Sequence, residues 1–167
     1  MPPTAALAKI SQENSGQNPI VQHLQKQVAN AFVLYANYKH YHWQTFGPNF
    51  RDLHLMFDEF ADAVNETIDE LAERIRMIGQ DPVFAPRDIE KTASVKLAAP
   101  QESIRQMIQE ADGNLADVIA DMRRAAAAAD DAGDPGSVDL FSKTVQIHEK
   151  HEWFLREILK KGSGLSF

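Results

Sequence analysis

Apolar residues recur at helical spacing in four long stretches of this chain, with short breaker segments between them. The first stretch opens at Asn18-Pro19, an N-cap asparagine followed by proline at the first helical position. Ile20, Leu24, Val28, Phe32, Tyr35 and Trp43 then keep rough helical periodicity to about Phe46. Gly47-Pro48 breaks the pattern, and Asn49 is placed to cap a second helix with Asp52 in its first turn. Leu53, Phe57, Phe60, Val64, Ile68, Leu71, Ile75 and Ile78 form that helix's apolar stripe, which stops at Gly79 with Pro82 beyond. Residues 80–100 hold three prolines and a short amphipathic piece near Arg87–Thr92. Pro100 is expected to open a third long helix, with Ile104, Ile108, Leu115, Ile119 and Met122 facing inward and Ala125–Ala129 continuing it. Asp130–Gly136 reads as a turn. Asp134-Pro135 or Ser137 starts a fourth long helix through Leu140, Phe141, Val145, Ile147, Phe154, Leu155 and Ile158, which Gly162-Ser163-Gly164 ends. No strand pattern and no internal repeat is present.

Four long amphipathic helices predict an all-α bundle. The tight 46–49 connection makes the first two an antiparallel hairpin. The link between the second and third, roughly 20 residues long, can cross the bundle, and one such crossover is the topology of ferritin-like four-helix bundles. Residues 1–17, small and polar, read as a flexible N-terminal tail, 18–162 as a single domain, and 163–167 as a short C-terminal tail. The net charge of −7 argues against an electrostatic preference for nucleic acid or anionic membrane and suits the attraction of cations. With no cysteine, neither disulfides nor thiolate metal sites can form. Any metal must be held by histidine and carboxylate, a set that fits iron, manganese or zinc. No apolar run approaches a membrane span, and the N-terminus lacks a cationic start and a long apolar stretch. A cytoplasmic protein is the expectation.

The second helix carries the chemistry. His54 and Asp58, then Asp69 and Glu73, are two i, i+4 pairs about one common midpoint. At about 100° per residue all four fall within an arc of roughly 100° on one helix face. Their ends nevertheless lie about 28 Å apart along the axis, whereas metal bonds are only ~2.0–2.6 Å long. Two copies of the helix packed antiparallel about a two-fold axis remove the conflict. His54 and Asp58 of one chain then meet Asp69 and Glu73 of the other, giving two identical metal sites shared between subunits. The competing reading of the acidic stretch is a solvated helix face.

His42, just before the turn, is the natural fifth ligand. His40 is two residues away, so its side chain points elsewhere, and His23 is remote. His148-Glu149-Lys150-His151 imitates a zinc-protease motif with the wrong spacing. The spacing of His148 and His151 permits a metal, but a surface or packing role is the expectation. The Glu-x-x-His motifs of a di-iron centre inside one bundle are missing. Trp43 and Trp153 read as core or interface residues, with a redox role secondary.

The run His42-Trp43-Gln44-Thr45-Phe46-Gly47-Pro48-Asn49-Phe50, then Leu53-His54-Leu55-Met56-Phe57-Asp58 and Ile68-Asp69-Glu70-Leu71-Ala72-Glu73-Arg74, resembles the Dps family of mini-ferritins, DNA-binding proteins from starved cells. The resemblance runs from about residue 18 to 160. It implies a homo-dodecameric hollow shell with ferroxidase centres at two-fold interfaces. His42, His54 and Asp58 would come from one subunit, Asp69 and Glu73 from its neighbour, with Trp43 as the aromatic beside the centre. Asp139 matches acidic residues lining three-fold pores, and Asp134 is a second pore candidate. The implied activity is oxidation of Fe(II), preferably by hydrogen peroxide, with storage of ferric oxide and protection against oxidative damage. Zinc or manganese fits the same ligands. The alternative is a DNA-compacting structural protein with incidental metal sites. Against it, Lys9 is the only basic side chain before Lys26, where DNA-binding members often carry several, and the C-terminus adds only Lys160 and Lys161.

Overall fold

A computed structural model describes residues 18–100 and 103–160. The expected tails at 1–17 and 163–167, and the Gly162–Gly164 stop, lie outside the described residues. Five helices occupy the described chain: α1 (Pro19–Gln44), α2 (Phe50–Met77), α3 (Pro86–Thr92), α4 (Ile104–Asp131) and α5 (Pro135–Leu159), with no strand among these residues. α1 and α2 form one antiparallel hairpin and α4 and α5 another. The hairpins close into a bundle through α1 against α4 and α2 against α5, while α3 packs on α1.

The helix ends follow local chemistry. The Asn18 side chain accepts a 2.9 Å bond from the Ile20 amide, as a cap should. Gly47 and Gly79 take φ of 84° and 93°, the left-handed turns that release the chain from α1 and α2. Two expectations need correction. Asn49 occupies the N-cap position of α2, but its side chain makes no capping bond. α4 starts at Ile104 rather than at Pro100, because the Ser103 hydroxyl accepts from the Gln106 amide at 3.2 Å and sets the N-terminus there. The Asp134 carboxylate caps α5, with Pro135 in its first turn, choosing between the two starts the sequence offered.

The core is aliphatic along α2 and α4 and aromatic where Tyr38, Tyr41, Phe57 and Phe60 meet. The α2 stripe and the inward α4 positions are buried as their periodicity requires, with Ile68 partly so. Three amide side chains of α1 hold the long crossover. Gln25 donates to the Asp81 carbonyl and accepts from the Val83 amide, both at 2.7 Å. Asn30 accepts from the Ser94 amide at 2.8 Å. Asn37 donates to the Lys96 carbonyl at 2.9 Å and accepts from the Ala98 amide at 2.8 Å. A segment with little regular structure thus pairs its backbone with side chains, as buried polar groups must.

Candidate metal centre

The α1–α2 turn brings His42, at the end of α1, against His54, in the second turn of α2. Their imidazoles stack with centroids 3.6 Å apart and planes at 20°. Each ring bonds the other residue's backbone: His42 Nδ1 to the His54 carbonyl at 2.7 Å, and His54 Nδ1 to the His42 carbonyl at 2.9 Å. A carbonyl only accepts, so each Nδ1 carries the proton. In the neutral rings both Nε2 atoms then keep their lone pairs. A backbone acceptor on one nitrogen and a free lone pair on the other is the arrangement by which metal-binding histidines are oriented. The Thr45 hydroxyl also donates to the His42 carbonyl at 3.0 Å, and Phe50 stacks on His54 at 5.0 Å.

Asp58 lies one turn beyond His54, with its Oδ1 3.9 Å from His42 Nδ1. Lys39 donates to the same oxygen at 2.5 Å. This hydrogen bond holds the Asp58 carboxyl below the ordinary aspartate range, and the lysine is raised in return. Lys39 was not singled out in the sequence. Its place three residues before His42, on one face of α1, was the available signal.

Asp69 and Glu73 lie farther along the same helix, Asp69 partly exposed and Glu73 exposed. Within one chain the structure joins His42, His54 and Asp58 and leaves Asp69 and Glu73 apart from them. Among the described residues, no three His, Asp or Glu side chains of a single chain enclose a metal position. Trp43 adjoins the histidines in sequence and is 67% exposed, so it is not a core residue of the protomer. Trp153 is half exposed and meets Phe154 edge to face at 5.1 Å.

The remaining candidates separate clearly. His148 and His151 are buried in the bundle, and His151 stacks on Phe60 at 3.8 Å and 13°. Burial pushes His148 down to about 4, and burial with neighbouring His148 and Lys150 pushes His151 down to about 3. They are neutral packing residues of the protomer. His40 faces Tyr41 edge to face at 6.1 Å, and half-buried His23 lies near Lys26, Asp121 and Arg124. Asp139 is exposed on the first turns of α5. Asp134 is 3% exposed: it caps α5 and pairs with Arg74, so within the protomer its charge is engaged and not presented to solvent. A pore role has no support from that placement.

Comparison with known proteins agrees with this architecture. Residues 21–165 match the family model described as a ferritin-like domain. The DNA protection during starvation protein of Brevibacillus brevis is 34% identical over 137 residues, covering 82% of this chain and 92% of that protein. The X-ray structure of Dps from Thermosynechococcus elongatus superposes with a TM-score of 0.86 at 44% identity, covering 98% of this chain and all of that one. A Dps from Vibrio cholerae, described as a member of a broad superfamily of ferritin-like diiron-carboxylate proteins, superposes at 0.81 with 29% identity, covering 91% and 92% of the two chains. With the bundle and the single crossover in place, these matches establish that the chain belongs to the Dps family of ferritin-like proteins.

Proposed function

We propose that this protein is a ferroxidase and iron store whose oxidation centres are completed only between subunits. The observation that carries the reading is the reciprocal bonding of His42 and His54. It commits both Nδ1 atoms to backbone carbonyls and leaves both Nε2 lone pairs for a cation. Asp58 adds a carboxylate beside them. Asp69 and Glu73 repeat the same spacing on the same helix face, one two-fold operation away. The donor set of imidazole and carboxylate, without thiolate, accepts Fe(II) and favours Fe(III) once oxidised.

In this reading Fe(II) is the substrate, and hydrogen peroxide is the oxidant. Two Fe(II) and one H₂O₂ take up two protons and give two Fe(III) and two waters, so no hydroxyl radical is released. The histidines hold Fe(II) before oxidation, and the carboxylates supply hard oxygen donors afterwards. Fe(III) then hydrolyses and deposits as oxide in the cavity of a twelve-subunit shell. Asp139, exposed at the start of α5, lines the cation entry in this assembly, where copies about an axis focus negative potential. Zinc or manganese would occupy the same ligands as competitors. Protection against peroxide stress is the physiological consequence, in the cytoplasm.

The test is direct. Fe(II) is added anaerobically to the assembled protein, peroxide follows, and ferric absorbance and particle mass are recorded. Rapid ferric growth inside a particle of constant protein mass is expected. His54→Ala and Glu73→Ala should each be inactive, while co-assembled mixtures regain activity, because both defects can fall in one site and leave its twin intact. A stable monomer at micromolar concentration, or mixtures no better than the mean of the parents, would remove the shared-site reading.

A further inference from the structure

Glu73 lies one turn from the end of α2, which closes at Met77. Helix ends fray, and a side chain near such an end is poorly placed unless something holds it. The next residue is Arg74, and its guanidinium is held at three points by a different element. It donates from Nε to the Ser137 hydroxyl at 3.0 Å and from Nη2 to the Asp134 carboxylate. It also lies flat against Gly136, where an added Cβ would sit 3.0 Å from Arg74 Cζ and 3.1 Å from both terminal nitrogens. The Arg74 side chain is 15% exposed and that of Asp134 2%, so the pair is largely withdrawn from water.

The same Asp134 carboxylate caps α5, accepting from the Ser137 amide at 3.1 Å and the Ser137 hydroxyl at 2.7 Å. One carboxylate therefore fixes the first turn of α5 and the last turns of α2 together. The planar fork of arginine and the missing side chain of glycine are both required by this geometry. The other polar ties on this half of α2 are exposed: Glu70 meets Lys143 at 2.8 Å, and Arg76 pairs with Asp81 and donates to the Gln80 carbonyl at 3.0 Å.

We infer that Arg74 is a positioning residue for the carboxylate half of the metal centre, clamping the end of α2 to the α4–α5 turn so that Glu73 is presented at a fixed point to the neighbouring subunit. The inference rests on the proposed role of Asp69 and Glu73 as ligands. Its physical logic is pre-organisation. A ligand carried on a fraying turn must be ordered when the cation binds, and the clamp places that ordering in the folded protomer instead.

The experiment uses the assembled protein and four variants: Arg74→Lys, Asp134→Asn, the double variant, and Glu73→Ala as reference. Arg74→Lys keeps the charge and loses the fork. Asp134→Asn keeps a good cap residue and loses the ion pair, which separates clamping from capping. Two quantities are read: hydrogen exchange of the amides from Leu71 to Met77, and Fe(II) affinity measured anaerobically by titration. Each single variant should accelerate exchange in that segment and weaken Fe(II) binding by about tenfold, the lower end of the effect of supporting residues at metal sites. The double variant should be no worse than either single one, because both remove the same clamp. Conservative thermal destabilisation with unchanged Fe(II) affinity would reduce Arg74 to a purely structural role and overturn the inference. So would additive losses in the double variant. If Glu73→Ala binds Fe(II) as tightly as the parent, the ligand assignment itself is wrong, and the exchange data then report the clamp alone, with no role in the centre.

Discussion

Two pairs of histidines in this molecule sit on the same bundle, and their environments make them opposites. His42 and His54 stack at 3.6 Å and spend each Nδ1 on the other's carbonyl. His148 and His151 are buried a turn apart in α5, and neither Nδ1 finds a partner among the described residues. The first pair is oriented and has lone pairs in reserve beside a carboxylate. The second is surrounded by aromatic rings, Phe60 and Tyr38 against His151, and burial holds it neutral. Residue type and spacing do not separate these cases. Hydrogen bonding of the non-ligating nitrogen does, together with the presence of an anion nearby.

The largest expected effect breaks the symmetry between the pairs. His54→Ala should lower the rate of peroxide-driven Fe(II) oxidation by about a hundredfold or more, since removing a ligand exceeds the loss from supporting residues. His151→Phe keeps a ring against Phe60 and should leave that rate within about twofold, because it touches packing alone. Stopped-flow ferric absorbance on assembled particles compares them. Equal losses would show that the buried pair belongs to the chemistry.

A second difference is acid sensitivity. A histidine depressed in the folded state binds its proton more readily once unfolded. Stability is then fully present above the unfolded value of about 6.5. It declines as the pH falls from there toward about 4 for His148 and about 3 for His151. For His148 the loss is on the order of 3 kcal/mol per protomer at ~1.4 kcal/mol per pH unit. Denaturant midpoints at pH 8, 6 and 5, at one fixed protomer concentration, should fall steeply in the parent and less steeply in His148→Leu. Parallel curves would mean that the buried imidazoles are not what acid attacks.

How much of this was legible in advance depends on the range of the contact. Asn18, Gly79 and Asp134 announced helix ends because caps are local. The i, i+4 pairs of α2 could be read because a helix converts spacing into a shared face. The His42–His54 exchange was invisible, since it needs the register of two helices across a turn. So was Lys39 on Asp58, though its place on the α1 face gave a hint. Asp134 is a pore candidate through the family resemblance alone. Only the approach of Arg74, 60 positions earlier, shows that its charge is taken. Pro100 marks the expected start of α4 because proline is a loud breaker, yet the Ser103 hydroxyl makes the capping bond. The amide ladder from Gln25, Asn30 and Asn37 carried no pattern at all, because its partners are backbone groups.

Asp139 and Asp134 offer a smaller contrast. Asp139→Asn removes an exposed charge and should slow iron uptake a few-fold at low ionic strength, with the difference shrinking as salt screens the pore. Asp134→Asn should show no such salt-dependent change in entry. Uptake followed from 10 to 300 mM salt, with oxidation rates measured separately, distinguishes the two. A salt-independent defect in Asp139→Asn would place it outside the entry path.

The smallest effect expected is on DNA, where a null result is the prediction. Each chain carries −7, so the proposed twelve-subunit shell would bring about −84 before any bound cation, a field that repels phosphate. Only concentrated basic segments overcome such a field, and Lys9 is the sole lysine or arginine before Lys26. Of the two lysines near the C-terminus, Lys160 is already bonded to Glu157 at 2.5 Å. Avidity from many copies multiplies weak contacts, so some retention at very low salt is compatible with this balance. Binding driven by a few phosphate contacts falls steeply with salt and should be gone near 150 mM without magnesium. Gel shifts across a salt series at pH 7.5 measure it. Binding that persists at 150 mM would shift the function toward DNA compaction and make the metal centre secondary.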